Sequence, residues 1–212
     1  MKINEMFLSI QGEGIQSGLP TFFIRTTGCN LRCSYCDTKY AYYKGKEMSI
    51  KEILNKVQNQ PYKRICLTGG EPLLQSDAKI LINELIKKGY SIDIETNGSI
   101  SLKSFPKSKL ILYSMDIKCP SSKETKKMIF NNISFLNKKD QIKFIIKTKE
   151  DYNFAREIIK KYKLIDKINI IFQPVGGIKA KWMVEKILSD RLNARIGLQI
   201  HKVIWKTNKK GV

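Results

Sequence analysis

The sequence holds a single histidine, His201, and only five cysteines, an odd number. It has no apolar run near the ~20 residues that a membrane-spanning helix needs, so no such span is expected. It has no internal repeat, low-complexity tract or Pro/Gly-rich linker, so a single domain over 1–212 is expected. Acidic residues are scarce: 19 Asp and Glu stand against 39 Lys and Arg, a formal net charge of +20. Such an excess attracts anions and raises nucleic-acid binding as a function class. The basic residues form no stripe interleaved with aromatics, however. Lysines are spread over helix faces (Lys87, Lys88, Lys160, Lys161, Lys163) and the tail (Lys206, Lys209, Lys210), in a chain also rich in Ile and Asn. That reads as compositional bias, and neither nucleic acid nor membrane is expected as a partner. The opening MKINEMFLSIQGEG has too short and interrupted an apolar part for a secretory signal, which leaves the cytoplasm as the expected compartment. Thiols stay reduced there, so clustered cysteines point to metal or catalysis rather than disulfides.

Hydrophobic residues make up 42% of the chain, enough for a large core. Runs rich in Ile, Phe and Tyr at 21–26, 64–68, 90–96, 110–116, 141–146 and 167–172 read as buried strands. Between them lie helical patterns. Ser49 reads as the cap of a helix with Ile53, Leu54 and Val57 on one face, and Ser76 as the cap of another carrying Ile80, Leu81, Leu85 and Ile86. Residues 151–163 and 179–190 read as helices as well. Strand and helix in turn imply an α/β fold with a parallel sheet and right-handed crossovers. About six such units suffice for an open, partial (β/α)6-type barrel with outer helices and a site at the C-terminal ends of its strands.

GCNLRCSYCDT, residues 28–38, places Cys29, Cys33 and Cys36 in a C-x3-C-x2-C array on a loop after the strand at 21–26. Two short gaps let the loop curl around one small object. Structural zinc takes four ligands, and the chain offers neither a second C-x2-C pair nor a nearby histidine. A 4Fe–4S cluster takes four thiolates, so three leave one iron open to a ligand. Cys66 and Cys119 stand as alternative fourth ligands, although Cys66 falls within an expected buried strand. LTGGEPLLQ, residues 67–75, follows another expected strand. Gly69 and Gly70 allow close backbone approach to a ligand, Pro72 stiffens the turn, and Glu71 suits a cationic amino group. ETNGS at 95–99 also closes a strand, though Asn97-Gly98 is a turn pair in its own right.

C-x3-C-x2-C followed by GGEP resembles the radical S-adenosylmethionine superfamily. The resemblance implies that Cys29, Cys33 and Cys36 hold a 4Fe–4S cluster whose open iron is chelated by S-adenosylmethionine. LSIQGEG at 8–14 together with FFIRTTGCNLRCSYCDT at 22–38 narrows this to the 7-carboxy-7-deazaguanine synthase family. DIKCPSS at 116–122, FQPVGG at 172–177 and LQIHKVIW at 198–205 extend the resemblance over nearly the whole chain. It implies a carbon–nitrogen lyase that contracts the ring of 6-carboxy-5,6,7,8-tetrahydropterin to 7-carboxy-7-deazaguanine, with loss of ammonia, in queuosine and deazapurine biosynthesis.

By matching position, the resemblance implies substrate contacts from Ile10, Gln11, Gly12, Arg25, Thr68 and the terminal carboxylate of Val212. It implies cofactor contacts from Tyr35, Cys36, Asp37, Gly70, Glu71, Asp116, Ile117, Lys118, Gln173, Pro174, Val175 and Gly176. Several relatives carry Ser-Pro-Lys where this chain has Asp116, Ile117 and Lys118. Thr38 matches a threonine that coordinates Mg²⁺, an ion that favours oxygen ligands. The guanidinium fork of Arg25 suits a pterin carboxylate. Glu13 and His201, the latter weighed against a core or packing role, are left without an assigned role. A homodimer and an electron donor such as flavodoxin or ferredoxin are implied as partners. Two alternatives remain: an activating enzyme of the same superfamily that acts on a partner protein, and a basic tRNA-binding protein whose cysteines hold zinc.

Overall fold

The computed structural model describes residues 1–177, 179–205 and 211. Among these residues nine strands form one sheet: β1 (Lys2–Ile10), β2 (Pro20–Thr26), β3 (Lys46–Glu47), β4 (Arg64–Gly69), β5 (Ser91–Thr96), β6 (Ile111–Lys118), β7 (Gln141–Ile146), β8 (Asn169–Pro174) and β9 (Arg195–Ile196). Their order is β3-β1-β2-β4-β5-β6-β7-β8-β9. From β2 to β9 every pairing is parallel and follows chain order. Such a sheet winds in one direction, as a barrel does, rather than reversing as doubly wound sheets do. The six expected strands are all present.

Strand β1 was not expected. It pairs antiparallel with β2, through a register shift between Ile3 and Glu5, and β3 pairs antiparallel with β1. The shift breaks the period-two alternation that marks a strand in sequence. The cysteine loop therefore follows the second strand, not the first.

The helices are α1 (Ile50–Gln58), α2 (Ala78–Lys87), α3 (Lys149–Tyr162), α4 (Lys181–Ser189) and the short α5 (Ile200–Trp205). Ser49 caps α1 as expected: its hydroxyl accepts from Glu52 N while the Glu52 carboxylate accepts from Ser49 N, a capping box. The expected cap of α2 needs correction. Asp77, not Ser76, is the N-cap, and Ile80 is exposed while Ala78, Leu81, Ile82 and Leu85 are buried. Thr148 and Asp151 form a second capping box at α3, and Lys163 closes it at φ 51°. The β5–β6 and β6–β7 crossovers carry only 3-10 turns, Leu102–Ser104, Pro120–Ser122, Thr125–Lys127 and Phe130–Phe135.

Alternate residues of the parallel strands point outward into the core under the helices. Ile65 and Leu67, Ile92 and Ile94, Tyr113, Met115 and Ile117, Ile142, Phe144 and Ile146, and Ile170 and Phe172 make this layer. Each fully buried Ile or Leu contributes roughly 1.5–3 kcal/mol to the hydrophobic driving force. The other residues face the concave side: Cys66 and Thr68, Glu95, Asp116 and Lys118, Lys143 and Ile145, and Gln173 line one cavity. A sheet whose strands from β2 to β8 share one hollow is curved, which makes the fold a partial barrel.

Candidate active site

The concave face holds a cavity of about 250 Å³ at the C-terminal ends of the parallel strands. Its floor is a buried polar network. Asp93 Oδ2 accepts from Gln11 Nε2 at 2.7 Å, and Oδ1 accepts from Ser114 Oγ at 2.5 Å. Gln141 Nε2 donates to Ser114 Oγ, and Gln141 Oε1 accepts from Ile15 N at 2.8 Å. The QGEG segment thereby closes the barrel from below. Buried polar groups are costly unless paired, and this chain of bonds pairs them.

Lys143 on β7 is the hub above that floor. Its Nζ lies 3.0 Å from Glu13 Oε2, 2.5 Å from Glu95 Oε2 and 3.4 Å from Asp116 Oδ1, with 4% of the side chain exposed. Burial works to neutralise the ammonium, but Asp116, Glu13 and Glu95 win and raise its pKa well above the lysine value. Glu13 also accepts from Gln173 Nε2 at 3.0 Å and Gln199 Nε2 at 2.6 Å. Against the effect of burial, Lys143 and these amides hold Glu13 well below the carboxylate range. Glu95 goes the other way: burial raises it, Lys143 opposes, and Asp93, Glu13 and Asp116 push it further up.

The cysteine loop covers one side of this cavity. Gly28 N donates to Ala41 O at 2.9 Å, Arg32 N to Glu124 Oε1 at 2.7 Å and Ser34 N to Ser122 O at 3.1 Å. These anchors turn Cys29, Cys33 and Cys36, each partly exposed, onto the cavity wall. Cys29 Sγ accepts from Leu31 N at 3.4 Å and Asn97 Nδ2 at 3.6 Å. Burial raises the Cys33 thiol to about 11, with Lys118 pulling the other way.

Cys66 lines the cavity from β4, apart from the cysteine loop, and Cys119 lies in the core. Gln11 Nε2 donates to Cys66 Sγ at 3.6 Å, and Cys119 Sγ donates to Ile117 O at 3.6 Å in the core. Among the described residues no three His, Cys, Asp or Glu side chains are gathered as ligands of a single ion. The three loop thiols instead share a wall with Gly69 and Gly70. A Cβ on Gly70 would stand 2.2 Å from Gly28 O and 2.8 Å from Cys29 Cβ, so the GGEP turn packs directly behind the cysteine loop. Two buried acceptors have no hydrogen-bond partner among the described residues: Gln173 Oε1, and Asp116 Oδ1, whose one charged neighbour there is Lys143 at 3.4 Å. Three loop thiols, backbone glycines, and the unpartnered Gln173 Oε1, which suits a hydroxyl or amine donor, form a lining that fits a 4Fe–4S cluster with S-adenosylmethionine attached.

Most residues singled out in the sequence meet in this cavity: Ile10, Gln11, Gly12, Arg25, Tyr35, Cys36, Asp37, Thr38, Thr68, Gly70, Asp116, Lys118, Gln173, Pro174, Val175 and Gly176. Arg25 lies against Phe7 and Tyr40, and its Nε donates to Glu5 Oε1 at 2.7 Å. Thr38 Oγ1 donates to Asp37 Oδ1 at 2.9 Å. Gln11 lines the cavity, but its amide and backbone bond to Asp93, Cys66, Glu13, Leu19 and Gly18.

Two expectations need correction. Glu71 does not line the cavity. Its carboxylate is fully buried and accepts from Leu73 N at 3.0 Å, Thr96 Oγ1 at 3.0 Å and Asn97 N at 2.6 Å. It braces the GGEP turn to the ETNG turn instead of reaching toward a ligand's amino group. Ile117 faces the outer core, because alternation sends Asp116 and Lys118 inward. Val212 lies outside the described residues.

Lys143, Glu95, Gln199 and His201 line the cavity and were not picked out as site residues. The signal for the first two was the alternation in SIDIET and QIKFII, charged residues between apolar ones. His201 fits against Gly12, where a Cβ would stand 2.0 Å from its Nδ1, and Ile200 N donates to Gly12 O at 3.0 Å.

The Radical SAM superfamily pattern matches residues 23–188. The 7-carboxy-7-deazaguanine synthase of Thermoplasma acidophilum is 41% identical over 205 residues, covering 97% of this chain and 97% of that one. Its counterpart from Clostridium acetobutylicum is 43% identical over 218 residues, covering 100% and 99%. The crystal structure of QueE from Escherichia coli superimposes with a TM-score of 0.76 at 25% identity, over 93% of each chain. SuiB of Streptococcus suis shares the fold alone, with a TM-score of 0.60 at 16% identity over 82% of this chain and 47% of that one. A three-thiol loop packed on a GGEP turn, in a chain that matches the Thermoplasma and Clostridium synthases over 97% and 100% of its length, makes this chain a member of the 7-carboxy-7-deazaguanine synthase family within the radical S-adenosylmethionine superfamily.

Proposed function

We propose that this chain is a carbon–nitrogen lyase that converts 6-carboxy-5,6,7,8-tetrahydropterin to 7-carboxy-7-deazaguanine and ammonia. The observation that carries the reading is that three loop thiols and a ring of buried charges open onto one cavity. Cys29, Cys33 and Cys36 hold the cluster. When bound, the cluster and S-adenosylmethionine supply the radical that starts the ring contraction.

The protein's part is to bind, orient and exclude water. Gly70, backed by Gly28 and Cys29, offers backbone close to the cluster, and Tyr35, Asp37, Asp116, Lys118 and the 173–176 turn surround the cofactor. Glu71 supports this wall from behind. Arg25, at the cavity end of β2, receives the pterin carboxylate, with Glu5 orienting its guanidinium. Ile10, Gly12 and Thr68 border the ring, and the Gln11 network keeps that border rigid. The Thr38 hydroxyl, already oriented by Asp37, is the protein's oxygen ligand for Mg²⁺. A flavodoxin- or ferredoxin-type donor, a homodimer and a cytoplasmic location complete the reading.

The test is anaerobic incubation of cluster-loaded protein with the pterin, S-adenosylmethionine, Mg²⁺ and dithionite, followed by mass spectrometry. The reading requires the deazapurine carboxylate to appear. An intact cluster with the pterin left unchanged would overturn it.

A further inference from the structure

Four carboxyls surround two ammonium groups inside the barrel. Glu13, Glu95 and Asp116 meet Lys143, Asp116 also meets Lys118 at 2.6 Å, and Asp93 lies beneath. Such a cluster has room to hold a proton. The carboxyls are not equivalent. Glu13 spends both oxygens on Lys143, Gln173 and Gln199. Asp93 is tied to Gln11 and Ser114, 1% exposed. Asp116 is held by Lys118 through Oδ2, and its Oδ1 faces the Lys143 ammonium at 3.4 Å. Glu95 lines the cavity with Oε2 on Lys143, and among the described residues nothing donates a hydrogen bond to its Oε1. Burial raises the Glu95 carboxyl well above the usual carboxylate range, against the pull of Lys143, and its unbonded Oε1 on the cavity makes it the member of the cluster placed to hold a proton.

The reaction proposed above requires such a group, because the ring nitrogen must leave as ammonia. Resting on that reading, we propose that Glu95 is the acid–base residue of ammonia release and that Lys143 is its positioning residue. In the ring-contracted substrate, which still carries its amine, the carbon–nitrogen bond breaks and its electron pair goes to nitrogen. The Glu95 carboxyl gives that nitrogen its proton, and NH3 departs. The neighbouring ring carbon then loses its proton to the Glu95 carboxylate, and the carbon–hydrogen electron pair forms the new double bond. Glu95 ends protonated, as it began, so no outside acid, base or oxidant is consumed. Lys143 holds Oε2 so that Oε1 faces the substrate.

The experiment is a single anaerobic turnover of the loaded holoenzyme with the pterin, resolved in time for ammonia and for species of substrate mass. Glu95→Gln keeps the side chain's shape. It is expected to consume the pterin, accumulate a chromatographically distinct isomer of it, and release ammonia ~100-fold or more slowly than the parent. Glu95→Asp, which restores a carboxyl, is expected to recover at least about tenfold of that loss. Ammonia release should fall with rising pH as Glu95 gives up its proton. The groups that face it set where this occurs: Lys143 from β7, Asp116 from β6, Cys66 from β4, Glu13 from the segment after β1, and Asp93 from its own strand. Because Lys143 favours the carboxylate, Lys143→Met is expected to move the fall to higher pH. Ammonia release by Glu95→Gln within about twofold of the parent, a pterin left untouched by that variant, no recovery in Glu95→Asp, or an unmoved profile in Lys143→Met would each overturn the assignment. Failure of the parent itself to consume the pterin would instead strike the function proposed above.

Discussion

Glu71 accepts the backbone N–H of Asn97 at 2.6 Å, across the gap between the turns that follow β4 and β5. Asn97 in turn reaches Cys29 Sγ and Asn30 Oδ1 with its side chain. One buried carboxylate thus couples the GGEP turn, the ETNG turn and the cysteine loop. Burial pushes the Glu71 carboxyl up to about 7 from an ordinary 4.5, against the pull of its three donors. A group raised on folding stabilises fully below its unfolded pKa and loses that contribution as pH rises through its folded pKa. Stability against urea, followed anaerobically, should therefore fall between pH 4.5 and about 7, by an amount on the order of 3 kcal/mol. Glu71→Gln should flatten that segment of the profile.

Gly70→Ala should displace the cysteine loop. Its Cβ would meet Gly28 O at 2.2 Å, a backbone atom that cannot swing aside. Overpacking of this kind costs about 1–3 kcal/mol. The expected outcome is a folded protein that retains far less iron after anaerobic reconstitution, read by iron assay and by absorbance near ~400 nm for the cluster.

Asp151 is fully buried and accepts from Ser121 N at 2.9 Å and Lys147 N at 2.8 Å, while binding the Ser121 hydroxyl and capping α3. It staples the turn after β6 to the start of α3, away from the cavity lining. Asp151→Ala leaves several donors unpaired at about 1–3 kcal/mol each. Calorimetry should show a large drop in Tm, and the folded fraction should keep its cluster.

Arg25→Met removes the fork proposed to receive the pterin carboxylate. A charge-assisted bond is worth about 1.5–3 kcal/mol. KM for the pterin should rise roughly 10- to 100-fold with little change in kcat, because the contact is made equally in the ground and transition states.

The sequence and the structure agree best where one residue type has one use. The C-x3-C-x2-C spacing, the GGEP turn and the Ile-rich strands all stand where their composition put them. The floor of the site was harder to read. Lys143, Glu95 and Asp93 sit in strands whose apolar partners signal burial, so the runs read as buried on both faces when one face was a polar hollow. Strand β1 was hidden by the register shift at Ile3 and Glu5. Glu71 misled because a carboxylate in a ligand-facing motif suggests a ligand contact. Whether such a group faces the ligand or braces its loop depends on Thr96 and Asn97, 25 and 26 residues further along the chain.

The account turns on three thiols that leave one iron for a ligand from outside the protein. Mössbauer spectroscopy of ⁵⁷Fe-reconstituted protein, with and without S-adenosylmethionine, tests this most directly. One iron of the cluster should change its isomer shift and quadrupole splitting on addition, with the others unmoved. Four equivalent irons that ignore the added compound would contradict it.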